Sequence, residues 1–366
     1  MPSPLFYRGR VYFVRDGGMV TSYTPDSGKI VIDAAVPMPR MTLSLRRLVP
    51  AAVAGLVGAA LAGAVSITAA SDPPAWAYPV NPPDFKPRVD DRQPRRVPDS
   101  TAAYTVTQLR DLFAAPVWHP EDHPPLPPVV AHGRKPAVFA CGVCHRADGP
   151  GGPENANIAG LPAAYIVQQM ADYKSGARTT AMPDRAPQKN MIALSKAITD
   201  DEVREAAAYF AALTPRQNVR VVETADVPAT VVAGWFLADA KTGAREPIGQ
   251  RVIEVPENLE QFENRDTHSR FIAYVPQGSI ARGAALAAGV PGKTDRCAIC
   301  HGPDLKGLAG IPPIVGRSPS YAVRQLYEFQ TGARNGAAAA LMKPVVAHLA
   351  LSDMIDLAAY LSSQAP

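Results

Sequence analysis

Apolar residues recur at helical spacing in several segments of the chain, and this pattern predicts a mainly helical protein. The pattern predicts six helices, of which four are long. The other two lie at 105–114 and 278–288. The four longer helices form two pairs of similar sequence, 163–175 with 320–331 and 200–213 with 352–362. The pairing indicates that one helical unit occurs twice.

Alternating apolar and polar residues predict strands in two other regions. One is the segment 215–277, which separates the two sets of helices and is too long for a simple linker. Its predicted strands are 219–222, 230–237, 250–255 and 271–275, with a hairpin turn at 241–243. We expect this β-rich inter-domain segment either to clamp the helical units together or to form a docking surface.

The other region is residues 1–40, where strands are predicted at 10–15 and 19–23. These strands resemble a fragment of one blade of a quinoprotein-type β-propeller, but one fragment cannot bury a core of its own. We favour the alternative that residues 1–40 are a mis-assigned leader and that translation begins at Met41.

From Met41 the chain has the pattern of an export signal. Two arginines precede an uncharged stretch, 48–71, and small residues at 68–70 and 75–77 offer two cleavage sites. The stretch is also just long enough to span a bilayer. Residues 41–77 are therefore interpreted as a signal peptide or a membrane anchor, and either places the remainder across the membrane.

The four cysteines form two copies of Cys-x-x-Cys-His, the attachment signature of a c-type haem. In each copy two thiols would bond to one porphyrin, and the histidine that follows would bind its iron. Zinc and redox-active Cys-x-x-Cys sites are the alternatives, but every cysteine is used and both copies carry the histidine. The sequence predicts two covalently attached c-type haems, bound by Cys141, Cys144 and His145 and by Cys297, Cys300 and His301.

The two motifs begin the two halves of a repeat. An offset of 156 residues superimposes them and aligns Tyr165 with Tyr321 and Gln169 with Gln325. The same offset aligns the Gly-Ala-Arg triplets that end the two long helices. One fold is therefore predicted to occur twice.

A methionine lies at the same place in each half, once a five-residue deletion has reduced the offset to 151. These residues are Met191 and Met342, and haem iron in electron-transfer cytochromes is often bound by one His and one Met. We predict both as axial ligands, with Met182 as the competitor in the first half and a role in the core as the alternative.

The motif, the Tyr-x-x-x-Gln helix ending in Gly-Ala-Arg, the methionine and a last helix ending in Ala-Ala-Tyr together resemble the class I cytochrome c fold. The tandem pair resembles the di-haem periplasmic cytochromes of the c-four type, over residues 137–214 and 278–366. The resemblance implies two such domains in tandem behind a proline-rich linker, 78–136. It also implies periplasmic electron transfer, although it does not identify the partners. We expect redox partner proteins such as a dehydrogenase, a cytochrome complex or a terminal oxidase.

The first domain departs from this pattern in front of its motif. Residues 72–136 hold fifteen prolines, and the proline run 124–128 lies where the second domain has the helix 278–288. Because proline disrupts a helix interior, we expect the helix 105–114 to take that place.

Several other side chains carry specific expectations. Arg178 and Arg334 follow the glycine that ends a long helix, so each either meets a haem propionate or lies on the surface. The carbonyl of Pro312 is expected to orient His301, and the first domain has no proline at the equivalent position. The loop histidines either bind a metal ion with Glu121 and Asp122 or are solvated, and we expect the latter, as for His268. These loop histidines are His119, His123 and His132.

The distribution of charge argues against one class of partner. The net charge is +4, but residues 78–366 hold 30 basic and 29 acidic residues, without a basic stripe, so no nucleic-acid partner is expected.

We expect an electron carrier rather than an enzyme. The alternatives are a cytochrome subunit of a quinoprotein dehydrogenase or oxidase complex, or a di-haem peroxidase or sulfur-compound dehydrogenase with an open iron position.

Overall fold

The structure, a computed structural model, describes residues 72–366 and four earlier strands. The chain divides into two compact units, Met1–Ser66 and Ile67–Pro366. In the first unit the strands pair antiparallel in chain order, and two of them have the predicted bounds. They are β1 Leu5–Tyr7, β2 Arg10–Arg15, β3 Met19–Tyr23 and β4 Ile30–Ala35. The apolar stretch of the predicted signal, 48–71, lies outside the described residues.

Between residues 72 and 366 the structure has twelve α-helices and a 3-10 turn at Pro120–Asp122. The helices are α1 Val106–Leu109, α2 Pro128–Ala131, α3 Cys141–His145, α4 Ala163–Ser175, α5 Ala186–Ala197, α6 Asp200–Ala211, α7 Leu259–Glu263, α8 Ser279–Ala287, α9 Ala298–His301, α10 Pro319–Thr331, α11 Ala339–Val346 and α12 Leu351–Ser363. The order from α3 to α6 recurs from α9 to α12, so each haem motif is followed by the same succession of helices.

Local signals in the sequence explain where the paired helices begin and end. A capping box starts α6, in which the Thr199 side chain accepts from the backbone N–H of Glu202. The helices α4 and α10 both end at a left-handed glycine, Gly176 with φ 79° and Gly332 with φ 81°. These glycines reverse the chain, so Arg178 and Arg334 come back alongside the helices that precede them.

The segment between the two sets of helices is rich in strands, as predicted. The strands are β5 Val219–Glu223, β6 Asp226–Pro228, β7 Thr230–Ala233, β8 Phe236–Asp239, β9 Arg245–Pro247, β10 Ile253–Pro256 and β11 Phe271–Val275. β11 pairs antiparallel with β10 and parallel with β5. The single predicted strand 230–237 is a hairpin instead, because Gly234 and Trp235 both adopt positive φ between β7 and β8.

In the second repeat, α8 crosses α12 at very close range. A Cβ on Gly283 would lie 1.9 Å from the carbonyl oxygen of Asp356, so only glycine permits this approach. Leu286 and Ala287 join Ile355, on the partner helix, in one core.

In the first repeat the helix that packs against α3 and α6 is α2, not the predicted helix 105–114. The proline run that argued against a helix supplies its start, because Pro128 occupies the first turn, where no backbone N–H is needed. α1 is only four residues long, and its Leu109 packs with Val97 and Trp118 instead.

The segment 215–277 contacts both repeats. Its Glu254 side chain is buried and accepts from Ser318 Oγ at 2.7 Å and from the backbone N–H of Ser320 at 3.1 Å, at the start of α10. Its Arg265 donates from Nη1 to the carbonyl oxygen of Val143, inside the first haem motif, at 2.7 Å. These contacts agree with the clamp interpretation.

Across the part of the chain that the structure describes, no single helix is long and apolar enough to cross a membrane. By length and composition alone α11 and α12 would qualify together, but they are bent by 116° with respect to each other.

Candidate haem sites

The first motif folds into one helical turn, α3, so the two thiols and the imidazole project from neighbouring positions. Burial raises the pKa of Cys141 to about 12 and also raises that of Cys144. Burial lowers the pKa of His145, so its ring is neutral and can bind a metal ion.

A hydrogen bond orients that ring. His145 Nδ1 lies 2.9 Å from the carbonyl oxygen of Ala156, and a carbonyl only accepts, so Nδ1 carries the proton. Nε2 is then the free donor atom of the neutral ring. His301 repeats the arrangement, with Nδ1 donating to the carbonyl oxygen of Pro312 at 2.8 Å, as predicted. The first repeat achieves the same without proline, because the backbone there has the same course.

A cavity lies beside α3 and encloses about 1250 Å³, including space open to solvent. Cys141, Cys144, His145 and Met191 all line it. The rest of its wall is mainly apolar and includes Ile158, Leu161, Ile166, Leu194, Val203 and Phe210. Thiols, an imidazole and a thioether around an apolar cavity fit a flat apolar macrocycle that is attached through sulfur and ligated at its iron.

The structure separates the two methionines considered for the first repeat. Met191, on α5, lines the cavity together with His145, and so does the helix residue Met170. Met182 instead packs against the hydrophobic core of the second repeat. The repeat alignment therefore selected the methionine that shares the cavity with the histidine.

The second motif, around α9, differs in exposure. His301 is 9% exposed, and burial lowers its pKa. Cys297 and Met342 both pack against the core cluster of the second repeat. Cys300 is exposed.

The two arginines of the Gly-Ala-Arg triplets are buried, which excludes the surface interpretation. They lie side by side in a short antiparallel bridge between the repeats. Arg178 donates to Gln325 Oε1 at 2.9 Å, and Arg334 donates to Gln169 Oε1 at 2.7 Å, so each contacts the other repeat. Arg178 also lines the first cavity, and its Nε is buried without a hydrogen-bond partner.

Two expectations about histidines are wrong. His119 is not a solvated loop residue but is 2% exposed, and its Nε2 is bonded to Asp266. His268 is half-buried, and its ring stacks on that of His119 with centroids 3.7 Å apart. The sequence does not predict these contacts, because His119 precedes the first repeat in the chain, whereas Asp266 and His268 follow it.

The chain is similar to several known cytochromes. The family model for cytochrome c matches residues 130–214. Cytochrome c-554(548) of Halomonas halodenitrificans is 42% identical over 82 residues, which are 22% of this chain and 99% of that protein. Cytochrome c4 of Pseudomonas aeruginosa is 27% identical over 226 residues, 60% of this chain and 82% of that protein. A Stutzerimonas stutzeri protein named thiosulfate dehydrogenase electron acceptor is 26% identical over 205 residues, 55% of this chain and 68% of that protein.

The chain therefore belongs to the cytochrome c family. Within that family it is a di-haem electron carrier of the cytochrome c4 type, and its cofactors are two covalently attached c-type haems.

Proposed function

We propose that the protein is a periplasmic electron carrier built from two class I cytochrome c domains in tandem, residues 137–214 and 278–366. The cysteines of each motif attach one haem. His145 and Met191 bind the first iron, and His301 and Met342 bind the second. The observation that carries this proposal is the single cavity that both His145 and Met191 line.

The bound haems supply one-electron ferric–ferrous chemistry. The protein holds each histidine by its Nδ1–H bond, so that Nε2 is directed by a rigid backbone carbonyl. The methionine sulfur is a neutral donor and favours the reduced state. The mainly apolar wall would surround the first haem with side chains of low polarity.

Arg178 and Arg334 are proposed to neutralise haem propionates where the repeats meet. The free Nε of Arg178 on the wall of the first cavity supports this, because a buried guanidinium N–H needs an acceptor. Each arginine also donates to the glutamine of the other repeat, which links the two repeats at this place.

A carrier is favoured over an enzyme because an iron held by both a histidine and a methionine would have no position left for a substrate. The partner that we propose is a dehydrogenase that reduces the protein. The name of the Stutzerimonas relative, which describes an electron acceptor, supports that class of partner and also suits a cytochrome subunit of a larger complex. Purification of the native protein with or without a stoichiometric partner distinguishes the two.

Export is part of the proposal, and of the two cleavage sites we favour 68–70. Ala77 and Tyr78 are 0% and 1% exposed within the core of the second repeat. The Ala77 carbonyl also accepts from Arg324 Nη1 at 2.8 Å. Cleavage after Ala77 would bury a charged amino terminus at Tyr78, which costs several kcal/mol.

The axial ligands are tested by Met191→Ala and Met342→Ala. Each variant should lose about half of the near-infrared sulfur-to-iron band, because one of two Met ligands is gone, and its haem should have a lower potential. Met182→Ala is the matched control and should keep the whole band. An unchanged spectrum in Met191→Ala would refute the assignment, and rapid peroxide turnover by the untreated protein would refute the carrier.

A further inference from the structure

A second cluster of metal-binding side chains lies away from the haem cavity. It joins the turn Pro120–Asp122 of the linker to the loop that follows α7 in the inter-domain segment. We call it the histidine cluster and define it by His119, Glu121, Asp122, Asp266 and His268.

His119 is the centre of the cluster, and its side chain is 1% exposed. Its Nε2 lies 2.9 Å from Asp266 Oδ1. Asp266 also accepts from Gln261 Nε2 at 2.7 Å and from the backbone N–H of His268 at 2.9 Å. A carboxylate oxygen only accepts, so Nε2 carries the proton of this pair, and with one proton on the ring Nδ1 carries a lone pair.

That lone pair has no hydrogen-bond partner, although Nδ1 is buried. Glu121 Oε1 lies 3.7 Å from Nδ1, beyond hydrogen-bond distance. A carboxylate oxygen cannot donate, so it leaves the lone pair unsatisfied. A buried acceptor of this kind requires a proton, a water molecule or a cation.

The surroundings favour a cation. Donor atoms of His119, Glu121 and Asp122 lie within 4.8 Å of one another. Ligands of a tetrahedral zinc ion lie roughly 3.4 Å apart, so small rotations of the exposed Glu121 side chain would complete the approach. The Asp266–His119 bond is the carboxylate–histidine pair that typically supports a metal-bound imidazole.

We propose that His119, Glu121 and Asp122 bind one divalent transition-metal ion, of the class that takes nitrogen and carboxylate ligands, such as Zn²⁺. Asp266 and His268 are positioning residues. His268 Nε2 lies 2.6 Å from Asp122 Oδ2 and holds that carboxylate beside the site. Arg216 Nη2 is 2.7 Å from the same Asp122 oxygen. Arg216 also pairs with Asp148, so the arginine retains one carboxylate partner when Asp122 binds the ion.

The test is titration of the chelator-treated, haem-loaded protein with Zn²⁺ by calorimetry. We expect one saturable site per chain. Glu121→Gln should weaken binding at least about tenfold, because it removes one anionic ligand. The matched control is Glu260→Gln, since the two side chains are equally exposed, 64% and 65%, and Glu260 lies outside the cluster.

His268→Gln should weaken zinc binding less than Glu121→Gln does, since it removes a supporting bond and not a ligand. An unchanged haem absorption spectrum confirms that each variant is folded. Anomalous scattering at the zinc edge should place the ion beside His119. No saturable binding to the wild type, or equal affinity of Glu121→Gln and Glu260→Gln, would overturn the proposal.

Discussion

The two haem motifs have the same chemistry, but the residues between their cysteines differ in exposure. Val143, between the cysteines of the first motif, is 0% exposed, whereas its equivalent in the second, Ile299, is 68% exposed. Gly152 and Leu308 also occupy equivalent positions of the repeat. Gly152 is buried, whereas Leu308 is 53% exposed. The repeat alone therefore does not decide which motif a partner protein can reach.

The inter-domain segment causes the difference. A Cβ on Gly152 would lie 2.7 Å from the ring of Phe262, so this phenylalanine packs directly on the first motif. The Arg146 guanidinium lies 4.9 Å from the centre of the same ring. With the bond from Arg265 to Val143, these contacts cover one motif with the protein's own chain. The second motif keeps its apolar face, and we expect redox partners to dock there.

The largest effect is expected from Cys297→Ala. Loss of a thioether attachment in the second motif should remove or loosen one haem, and the first site should remain intact because its attachment residues are separate. Intact mass under denaturing conditions shows removal of the haem as the polypeptide plus one haem. Loss of both haems would show that the two sites do not mature independently.

Phe262→Ala should lower the free energy of unfolding by about 3–5 kcal/mol, because the side chain is 2% exposed and its removal leaves a cavity. Ile299→Ala is the contrasting variant and should change stability by less than about 0.5 kcal/mol. Denaturant unfolding of both proteins measures the difference. Equal losses would contradict the unequal covering of the two motifs.

A pH effect should also separate the repeats. Burial raises the pKa of Asp148 from 3.8 to about 6, against the opposing effect of Arg216. The folded state then binds the proton more tightly than the unfolded state, so stability falls as pH rises from about 4 to 6, by up to about 3 kcal/mol. Asp148→Asn should remove this slope. Asp304→Asn, at the exposed equivalent position, should leave it in place.

The smallest effect is expected at the docking face. Ile299→Glu should slow electron exchange with a small blue-copper protein about tenfold, or ~1.4 kcal/mol, because it places a charge in an apolar contact. Val231→Glu is the control, since Val231 is 50% exposed but lies on β7, away from the motifs. Stopped-flow kinetics measures the electron-exchange rates of the two variants. Equal rates would show that the partner does not dock at Ile299.

The sequence by itself determined the chemistry. Two Cys-x-x-Cys-His motifs and their repeat specify two haems, because attachment needs those residue types within one helical turn. The alignment of Met191 with Met342 needed no coordinates either. The helical spacing of apolar residues and the capping residues also predicted the four paired helices. In these helices the local signals agree with the tertiary packing.

Only the tertiary structure decided how the two halves differ. The covering of Val143 depends on Arg265, 122 residues later, and the His119–Asp266 bond spans 147 residues. Polar residues in an irregular loop have no period that predicts their burial, so the sequence alone places these histidines in solvent. Met182 is similar, because its partners lie in the core of the other repeat. Local patterns report the free-energy preferences of neighbouring residues, whereas burial depends on which distant segments pack together.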